Sequence, residues 1–334
     1  MTTIVLFGGP SDERHVSVAS AQAMVGALGA PLAWFWAPDG PVHDVGIDDL
    51  LAHQRAFEVD FQPRRPAIWP NLEQTLDTLP VEDPIFLLAL HGGPGEDGTV
   101  QRMMEQRGIA FTGSGSQPSA AAFNKTRAKE MLRNRVRMAE SRIVRGEETI
   151  RQMLDSYDRI VLKPIAGGSS RGLFFAQRGD KIDLPNDVPY LAEQYISGRE
   201  LTAGVIDQGD GPFALPPIEI QVDAGRSFDY AGKYLDPGTR EICPANISDA
   251  MREAAENLAL AAHTVLGCEG YSRTDMIAAD DDHLYFLELN TLPGLTASSL
   301  VPKELRAAGI EFRDFLERQI ELARQRAHAV SNLG

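Results

Sequence analysis

The chain has 334 residues, of which 43% are hydrophobic and 24% charged, a composition typical of a globular protein with two or three domains rather than a disordered chain. Its net charge of −15 argues against a nucleic-acid-binding surface, because phosphate backbones select basic faces. Cys243 and Cys268 lack zinc or redox spacing, so no disulfide framework is expected. With no apolar stretch of membrane-spanning length and no signal-peptide pattern, we expect a cytoplasmic protein without membrane partners.

The first third of the chain alternates predicted strands and helices. Residues 3–7 form a short buried strand, and a helix follows with apolar residues at helical spacing over 16–28. Residues 84–90 form a second buried strand, followed by a loop and a helix that ends at Gly108. This pattern predicts an α/β domain over residues 1–117, with ligands at the carboxyl ends of its strands.

The middle of the chain predicts a smaller unit. A helix is expected over 118–135, and strands are expected over 159–164, 171–176 and 190–196. Together they form a predicted domain over residues 118–200.

The remainder, residues 201–334, is a predicted domain of mixed strands and helices. Strands are expected over 200–206 and 216–222, followed by a helix over 248–267 and a hairpin. A final helix covers roughly 311–327. The fold class that this pattern predicts is α/β (α+β).

Two strands of the predicted hairpin carry polar residues at alternate positions. Arg273 and Asp275 lie two apart, as do Glu288 and Asn290, so each pair shares a face. A two-residue loop at 281–282 would place Asp275 opposite Glu288 and Arg273 opposite Asn290. Two carboxylates this close repel unless a cation or proton lies between them, and oxygen ligands suit Mg²⁺ or Mn²⁺. The alternative is a solvent-facing strand side that binds nothing.

A glycine-rich loop over residues 167–170 lies between two predicted strands. Its sequence, Gly-Gly-Ser-Ser, can present backbone N–H groups to phosphates, and Lys163 precedes it. It is not a P-loop, because the lysine comes before the glycines and no helix follows. Glu193 and Glu200 flank a later turn, where they could accept hydrogen bonds from an adenine amino group or ribose hydroxyls. The simpler interpretations, a hairpin turn and surface acids, stay open here.

Taken together, these features resemble the ATP-grasp fold and, within it, the D-alanine–D-alanine ligase family. The resemblance runs over nearly the full chain and implies an N-terminal α/β open-sheet domain, a small central lid domain and a larger C-terminal mixed domain. It also implies a homodimer that makes D-alanyl-D-alanine for peptidoglycan precursors. The motifs that carry it are HGGPGEDGTVQ (91–101), GSSRG (168–172), KYLDPGTREICPA (233–245), GYSRTD (270–275) and LELNTLPGLTASSLVP (287–302).

The resemblance implies ATP as cofactor together with two Mg²⁺ or Mn²⁺ ions. Asp275, Glu288 and Asn290 would hold the ions, which bridge the β- and γ-phosphates in such reactions. The residues expected to bind ATP are Lys125, Lys163, Ser169, Ser170, Glu193, Glu200 and Lys233.

The same resemblance implies roles in catalysis. The carboxylate of a first D-alanine would attack the γ-phosphate, and the amine of a second D-alanine would then displace phosphate. Arg273 and the N–H of Gly294 would hold the oxyanion that forms. Glu13 would bind the ammonium of the first substrate, and Tyr234 and Ser169 would hydrogen-bond with Glu13 and hold a closed, dry site.

Further residues are expected to bind the substrates. His91 would lie beside the first D-alanine, and the N–H groups of Ser299 and Leu300 would bind the carboxylate of the second. Those two residues precede a helix expected to begin near Pro302, whose N-terminus suits an anion.

Three residues depart from the family's pattern. Arg171 replaces a small or apolar residue, Arg102 replaces a small one, and His15 lies where an acid is common. They favour one alternative, an ATP-grasp ligase that joins other amino acids. The other alternative is a non-catalytic nucleotide-binding module, against which the intact hairpin residues count.

Overall fold

The structure is a computed structural model that describes most of the chain. The described residues are 2–29, 31–168, 172–185, 188–222, 239–281 and 283–331. Their strands form three sheets, which the helices cover. Within this part of the chain, no helix combines the length and the apolar character that crossing a membrane requires.

The first sheet is mostly parallel and lies in the N-terminal part of the chain. Its strands are Thr2–Gly8 (β1), Leu32–Trp36 (β2), Val42–Val45 (β3), Pro84–Leu88 (β4) and Ala110–Phe111 (β5). They follow the order β3-β2-β1-β4-β5, and only the edge strand β3 runs antiparallel to its neighbour. The strand interiors are apolar because both faces of a parallel sheet are covered.

The first sheet positions two of the predicted site residues at one edge. The helices of this region are Arg14–Leu28 (α1), Ile47–Leu51 (α2), Leu72–Asp77 (α3) and Thr99–Glu105 (α4). Strand β1 pairs with β2 on one side and β4 on the other, so the strand order reverses there. Ligands bind outside the carboxyl ends of strands at such a reversal. Glu13, before α1, and His91, after β4, both lie at this edge.

The helix predicted over 118–135 is two helices in the structure, Ser116–Phe123 (α5) and Lys125–Met131 (α6). Asn124 separates them with extended backbone, at φ −94° and ψ 102°, and its side chain accepts from the Arg127 N–H at 3.1 Å. Asparagine favours this capping position because its short side chain competes for backbone donors. The break places Lys125 at the start of α6, beside the glycine loop.

The second sheet is antiparallel and small. Its elements are Ser141–Ile143 (β6), Glu147–Ser156 (α7), Arg159–Pro164 (β7), Phe174–Gln177 (β8) and Tyr190–Gln194 (β9). The strand order is β6-β9-β7-β8. Helix α7 covers one face, where Met153 packs with Ile160 and Leu162 in a core of its own.

The third sheet has the order β13-β12-β10-β14-β15, with β11 paired to β10. Its strands are Gly198–Asp207 (β10), Pro212–Ala214 (β11), Ile218–Val222 (β12), Thr239–Ile242 (β13), Tyr271–Ala279 (β14) and Leu284–Asn290 (β15). The helices of this part are Asp249–Leu266 (α8), Leu300–Ala307 (α9) and Phe312–Ser331 (α10).

The final helix, α10, packs against the first sheet and also contacts the third, where the ring of Phe315 meets that of Tyr271. Phe315 and Ile320 belong to the same buried cluster as Phe86 of β4. The end of the chain therefore completes the N-terminal core.

The predicted domain limits 1–117, 118–200 and 201–334 stay predictions, and the limit after residue 200 lies within β10.

The hairpin β14–β15 has the predicted facing pairs but a longer turn. Asp275 lies opposite Glu288 and Arg273 opposite Asn290, as predicted. Ala279 donates its N–H to the carbonyl of His283 at 2.9 Å, so the turn encloses one residue more than the predicted two. The register shifts between Asp275 and Met276, where β15 carries one extra residue in a β-bulge.

Candidate functional site

A large cleft with a volume of about 830 Å³ lies between the second and third sheets. Its walls combine charged side chains with apolar ones such as Val161, Ile277 and Leu287. A cleft of this size and lining is typical of a small-molecule site. It brings together six of the predicted ligand-binding residues: Lys125, Lys163, Glu193, Glu200, Asp275 and Glu288.

An ion triad forms the buried floor of this large cleft. Glu193 pairs with both Lys129 and Lys163, and all three side chains are at most 10% exposed. Burial alone would raise the pKa of Glu193, but the charges of Lys163 and Lys129 hold it below its ordinary value. Burial also lowers the pKa of Lys129. Sequence reasoning missed Lys129, although it lies one helical turn after Lys125.

Asp275 is fixed by donors on neighbouring strands. Arg273 donates from Nε to Oδ1 at 2.8 Å and from Nη2 to Oδ2 at 2.7 Å. Thr202 Oγ1 donates to Oδ1 at 2.6 Å, and Asn290 Nδ2 donates to Oδ2 at 3.4 Å. Hydrogen bonds to an ionised group are stronger than those between neutral groups. These bonds hold the carboxylate on the face that it shares with Glu288.

Glu288 lies beside a cation that also holds the glycine loop. Lys125 Nζ is 3.4 Å from Glu288 Oε2 and donates to the carbonyl of Gly167 at 2.7 Å. Among the described residues, no group of three His, Cys, Asp or Glu side chains is arranged to hold a metal. A divalent ion here would therefore rely on Asp275, Glu288 and the amide oxygen of Asn290, with phosphate or water oxygens as further ligands. Such hard oxygen donors fit Mg²⁺ or Mn²⁺.

A smaller pocket of about 40 Å³ adjoins the large cleft. It brings together Glu13, His91, Arg273 and Gly294, the residues predicted for the first substrate and for the oxyanion. Gly168 lines it too, and a Cβ at that position would lie 3.5 Å from both carboxylate oxygens of Glu13. Gly168 therefore lies directly beside the carboxylate of Glu13.

His91 is tied to α1 and to the loop after β15. Its Nε2 lies 3.0 Å from Ser20 Oγ, and Ser20 Oγ accepts the N–H of Leu295 at 3.3 Å. Its Nδ1 lies 3.6 Å from Glu96 Oε1. Glu96 lines the same small pocket and was missed by sequence reasoning, although it belongs to the motif that begins at His91.

The helix expected near Pro302 begins at Leu300, with Ser299 as its N-cap. The Ser299 N–H donates to the Thr296 carbonyl at 3.0 Å, and Ser299 Oγ lies 2.7 Å from Thr296 Oγ1. The assignment of Ser299 and Leu300 to the second substrate stays a prediction. It requires the Ser299 amide to exchange its partner when the substrate carboxylate binds.

Glu304, which sequence reasoning did not single out, is fully buried in α9. Its Oε1 accepts the N–H of Gly204 at 2.9 Å, while Oε2 has no hydrogen-bond partner in the described part of the chain. Burial raises the pKa of Glu304 to about 8, against an ordinary value of 4.5. Gly204 lies opposite Arg273 in the pairing of β10 with β14, and a Cβ there would meet Glu304 Oε2 at 2.7 Å.

We expect Glu304→Gln to remove part of the pH dependence of stability. The folded protein binds the Glu304 proton more tightly than the unfolded chain does. The free energy of unfolding of the wild-type therefore falls by about 1.4 kcal/mol per pH unit as pH rises from about 4.5 to about 8. Thermal midpoints at pH 5 and pH 8 test this. The midpoint of the variant should rise relative to that of the wild-type at pH 8 but not at pH 5. Glu253→Gln, at an exposed position of α8, is the control. A parallel pH dependence in Glu304→Gln and wild-type would contradict the assignment.

An aromatic group that sequence reasoning missed lies at the large cleft. The rings of Phe175 and Tyr195 contact each other edge-to-face, and the guanidinium of Arg159 lies over both, at 4.6 and 4.2 Å from their centroids. Both rings line the cleft. The two rings are nearly perpendicular, at 77°, so a heteroaromatic base in the cleft can contact one of them but cannot stack on both.

Ser169, Ser170, Arg171, Lys233 and Tyr234 lie outside the described residues. Of the other departures from the family's pattern, His15 lies on α1 with Nε2 2.9 Å from Asp60 Oδ1, and Arg102 is exposed on α4.

Two family descriptions match consecutive parts of the chain. "D-ala D-ala ligase N-terminus" matches residues 2–114, and "D-ala D-ala ligase C-terminus" matches residues 136–321. A D-alanine–D-alanine ligase from Desulfovibrio desulfuricans is 37% identical over 329 residues, covering 96% of this chain and 97% of that protein. One from Syntrophobacter fumaroxidans is 35% identical and covers 97% of both.

Solved structures show the same similarity. A D-Ala:D-Ser ligase from Enterococcus faecalis superposes with a TM-score of 0.79 at 25% identity, covering 96% of this chain and 99% of that one. A D-alanine–D-alanine ligase from Bacillus anthracis, solved in complex with ATP, has a TM-score of 0.73 at 27% identity and covers 98% of both chains.

Proposed function

The chain belongs to the D-alanine–D-alanine ligase family, and on that premise we propose that it joins two molecules of D-alanine while ATP becomes ADP and phosphate. The observation that carries this proposal is that the large cleft and the small pocket meet at Gly168, which lines both. Phosphates bound along the cleft would thus reach the pocket of Glu13 and Arg273. That arrangement supports transfer of a phosphoryl group to a substrate carboxylate.

In the first proposed step, a carboxylate oxygen of the first D-alanine attacks the γ-phosphorus, and the bond to the β–γ bridging oxygen breaks. The products are ADP and D-alanyl phosphate. The buried carboxylate of Glu13 would bind the substrate's ammonium, which orients its carboxylate toward the cleft. Lys125 and Lys163 would place their charges against the phosphates, and the glycine loop would exclude water that hydrolyses the intermediate.

In the second step, the amine of the second D-alanine attacks the acyl carbon. The nitrogen gives up a proton, and phosphate leaves with the electron pair of the C–O bond. The oxyanion of the tetrahedral intermediate would accept hydrogen bonds from Arg273 and from the Gly294 N–H. Arg273 is already oriented by its two bonds to Asp275.

Two Mg²⁺ or Mn²⁺ ions are part of the proposal. Asp275, Glu288 and Asn290 would hold them. When bound, the ions supply charge neutralisation on the phosphates. Glu288 faces Asp275 across the hairpin, so the two carboxylates can share the ions.

The biological setting is also proposed. A dipeptide of two D-residues suits peptidoglycan precursor synthesis in the cytoplasm, and the family suggests a homodimer. Sedimentation of the purified protein would test the dimer.

The proposed function is tested by ADP release with D-alanine, L-alanine, D-serine and D-lactate, with products resolved by mass. We expect D-alanine alone to support turnover and L-alanine to fail. A mixed D-alanyl-D-serine product would move the assignment toward the specificity named for the Enterococcus faecalis relative. ATP binding without amino-acid-dependent turnover would indicate a nucleotide-binding module instead.

A further inference from the structure

We propose that Lys129 is a positioning residue for nucleotide recognition, which holds Glu193 as a fixed anion facing the base while Lys163 stays available to the phosphates. This inference rests on the proposed function and deepens it, because it concerns the ATP site of that function. Lys129 would act only through Glu193, without touching the nucleotide.

The geometry divides the Glu193 carboxylate between two lysines. Oε1 pairs with Lys129 and Oε2 pairs with Lys163. Glu193 lies opposite Val161 in the pairing of β9 with β7, so Lys163, two residues further along β7, shares its face. Lys129 comes from α6 and also donates to the Ala139 carbonyl at 3.1 Å, which holds it in place.

Only part of this triad faces the large cleft. Lys163 and Glu193 line it together with Ala139, whereas Lys129 belongs to the floor behind them. A carboxylate offers about four acceptor positions, and Oε1, which pairs with Lys129, is closed to solvent, so the acceptor position for a ligand is on Oε2. Glu193 can thus accept a hydrogen bond from a base amino group while both ion pairs stay intact.

The charges explain why two lysines are needed. With both present, the buried group has one negative and two positive charges, and the surplus positive charge favours a polyphosphate in the cleft. Without Lys129, the carboxylate would turn both oxygens toward Lys163, since a buried charge needs a partner. That rotation would remove the acceptor that faces the base. It would also draw the Lys163 ammonium away from the phosphates.

The base provides a specific readout of this arrangement. Adenine carries an amino group that donates to a carboxylate, whereas hypoxanthine carries a carbonyl oxygen at the same position, which a carboxylate repels. The ratio of the Kd values for inosine triphosphate and ATP therefore reports whether an anionic Glu193 faces the base. A general loss of structure would weaken both nucleotides together.

The test is calorimetric binding of ATP and of inosine triphosphate, with Mg²⁺ and without D-alanine, to wild-type and variant protein. Lys129→Met should raise the Kd for both nucleotides, because Lys163 is drawn away from the phosphates that they share. It should raise the Kd for ATP by roughly 10-fold more than that for inosine triphosphate, since only ATP also loses a hydrogen bond to a charged group. Lys129→Arg, which keeps the charge, should restore most of the preference. Lys181→Met, the same change at an exposed lysine of the central region, should bind like wild-type.

Equal changes for both nucleotides in Lys129→Met, or an unchanged preference for ATP, would overturn the inference. If Lys129→Met does not fold, Lys129→Gln gives the same comparison, because it can donate to Ala139 but carries no charge. The outcome is separable from the proposed function. Wild-type protein that binds ATP but makes no dipeptide would refute the function, and a selective loss of ATP preference in Lys129→Met would still support the role of Lys129.

Discussion

We expect Glu288→Gln to lower the kcat of dipeptide formation by roughly 10³-fold. Glu288 faces Asp275 across the hairpin and lies 3.4 Å from Lys125 Nζ. Metal ions at such a site supply several kcal/mol of charge stabilisation, and each ~1.4 kcal/mol is tenfold in rate. Glutamine keeps the shape and removes the charge, so the loss reports on metal binding rather than on packing.

The Glu288→Gln experiment needs a matched control and a metal titration. Glu317→Gln makes the same change on an exposed side chain of α10 and should leave kcat unaltered. The concentration of Mg²⁺ or Mn²⁺ needed for half-maximal activity should rise in Glu288→Gln. Near-normal turnover with an unshifted metal requirement would remove Glu288 from the proposed metal site.

The second large effect is expected for Arg273→Lys, with kcat lowered roughly 10²- to 10³-fold, the usual cost of losing an oxyanion donor. Arg273 is buried and donates twice to Asp275. Lysine keeps the charge but lacks the planar fork of donors, so it cannot bind Asp275 and an oxyanion in the same geometry. The second step should slow more than the first.

A ratio of products separates this role from a general loss of activity. If aminolysis slows, water hydrolyses more of the acyl phosphate, and phosphate release should exceed dipeptide formation in Arg273→Lys. Arg252→Lys, on the surface of α8, is the control. Equal amounts of phosphate and dipeptide, at a rate close to wild-type, would exclude Arg273 as the oxyanion donor. Circular dichroism of each variant tests whether the fold is retained without the buried ion pair.

The facing residues of the hairpin could be predicted because strand geometry repeats every two residues. Asp275 and Glu288 stay on the same face in every register that differs from the true one by an even number of residues. The apolar residues at the alternate positions of the two strands indicate which face is buried. The turn length could not be predicted in the same way. The bulge between Asp275 and Met276 adds one residue to β15, which compensates for the longer turn and restores the predicted pairs.

The residues missed by sequence reasoning act through contacts between distant parts of the chain. Lys129 meets Glu193 from a different element, and Glu304 meets the backbone of Gly204, 100 residues away. No periodicity reports such contacts. The helix break at Asn124 did have a local signal, since asparagine is a strong N-cap, but the surrounding helix formers obscured it.

The residues of the small pocket around Glu13 were predicted from family motifs and not from periodicity. Glu13, His91 and Gly294 belong to three separate loops, and no spacing rule joins them. Their assignment came from the family resemblance, and the structure places all three in one small pocket with Arg273. Their individual roles stay predictions, as do those of the residues outside the described part of the chain.

The central claim is that the carboxylate of the first D-alanine takes the γ-phosphoryl group of ATP before the peptide bond forms. D-alanine labelled with ¹⁸O in its carboxylate tests this most directly, with mass analysis of the phosphate released during dipeptide synthesis. An acyl phosphate carries one carboxylate oxygen into the phosphate when the C–O bond breaks, so the account predicts one labelled oxygen in each phosphate. Dipeptide formation with unlabelled phosphate would contradict it.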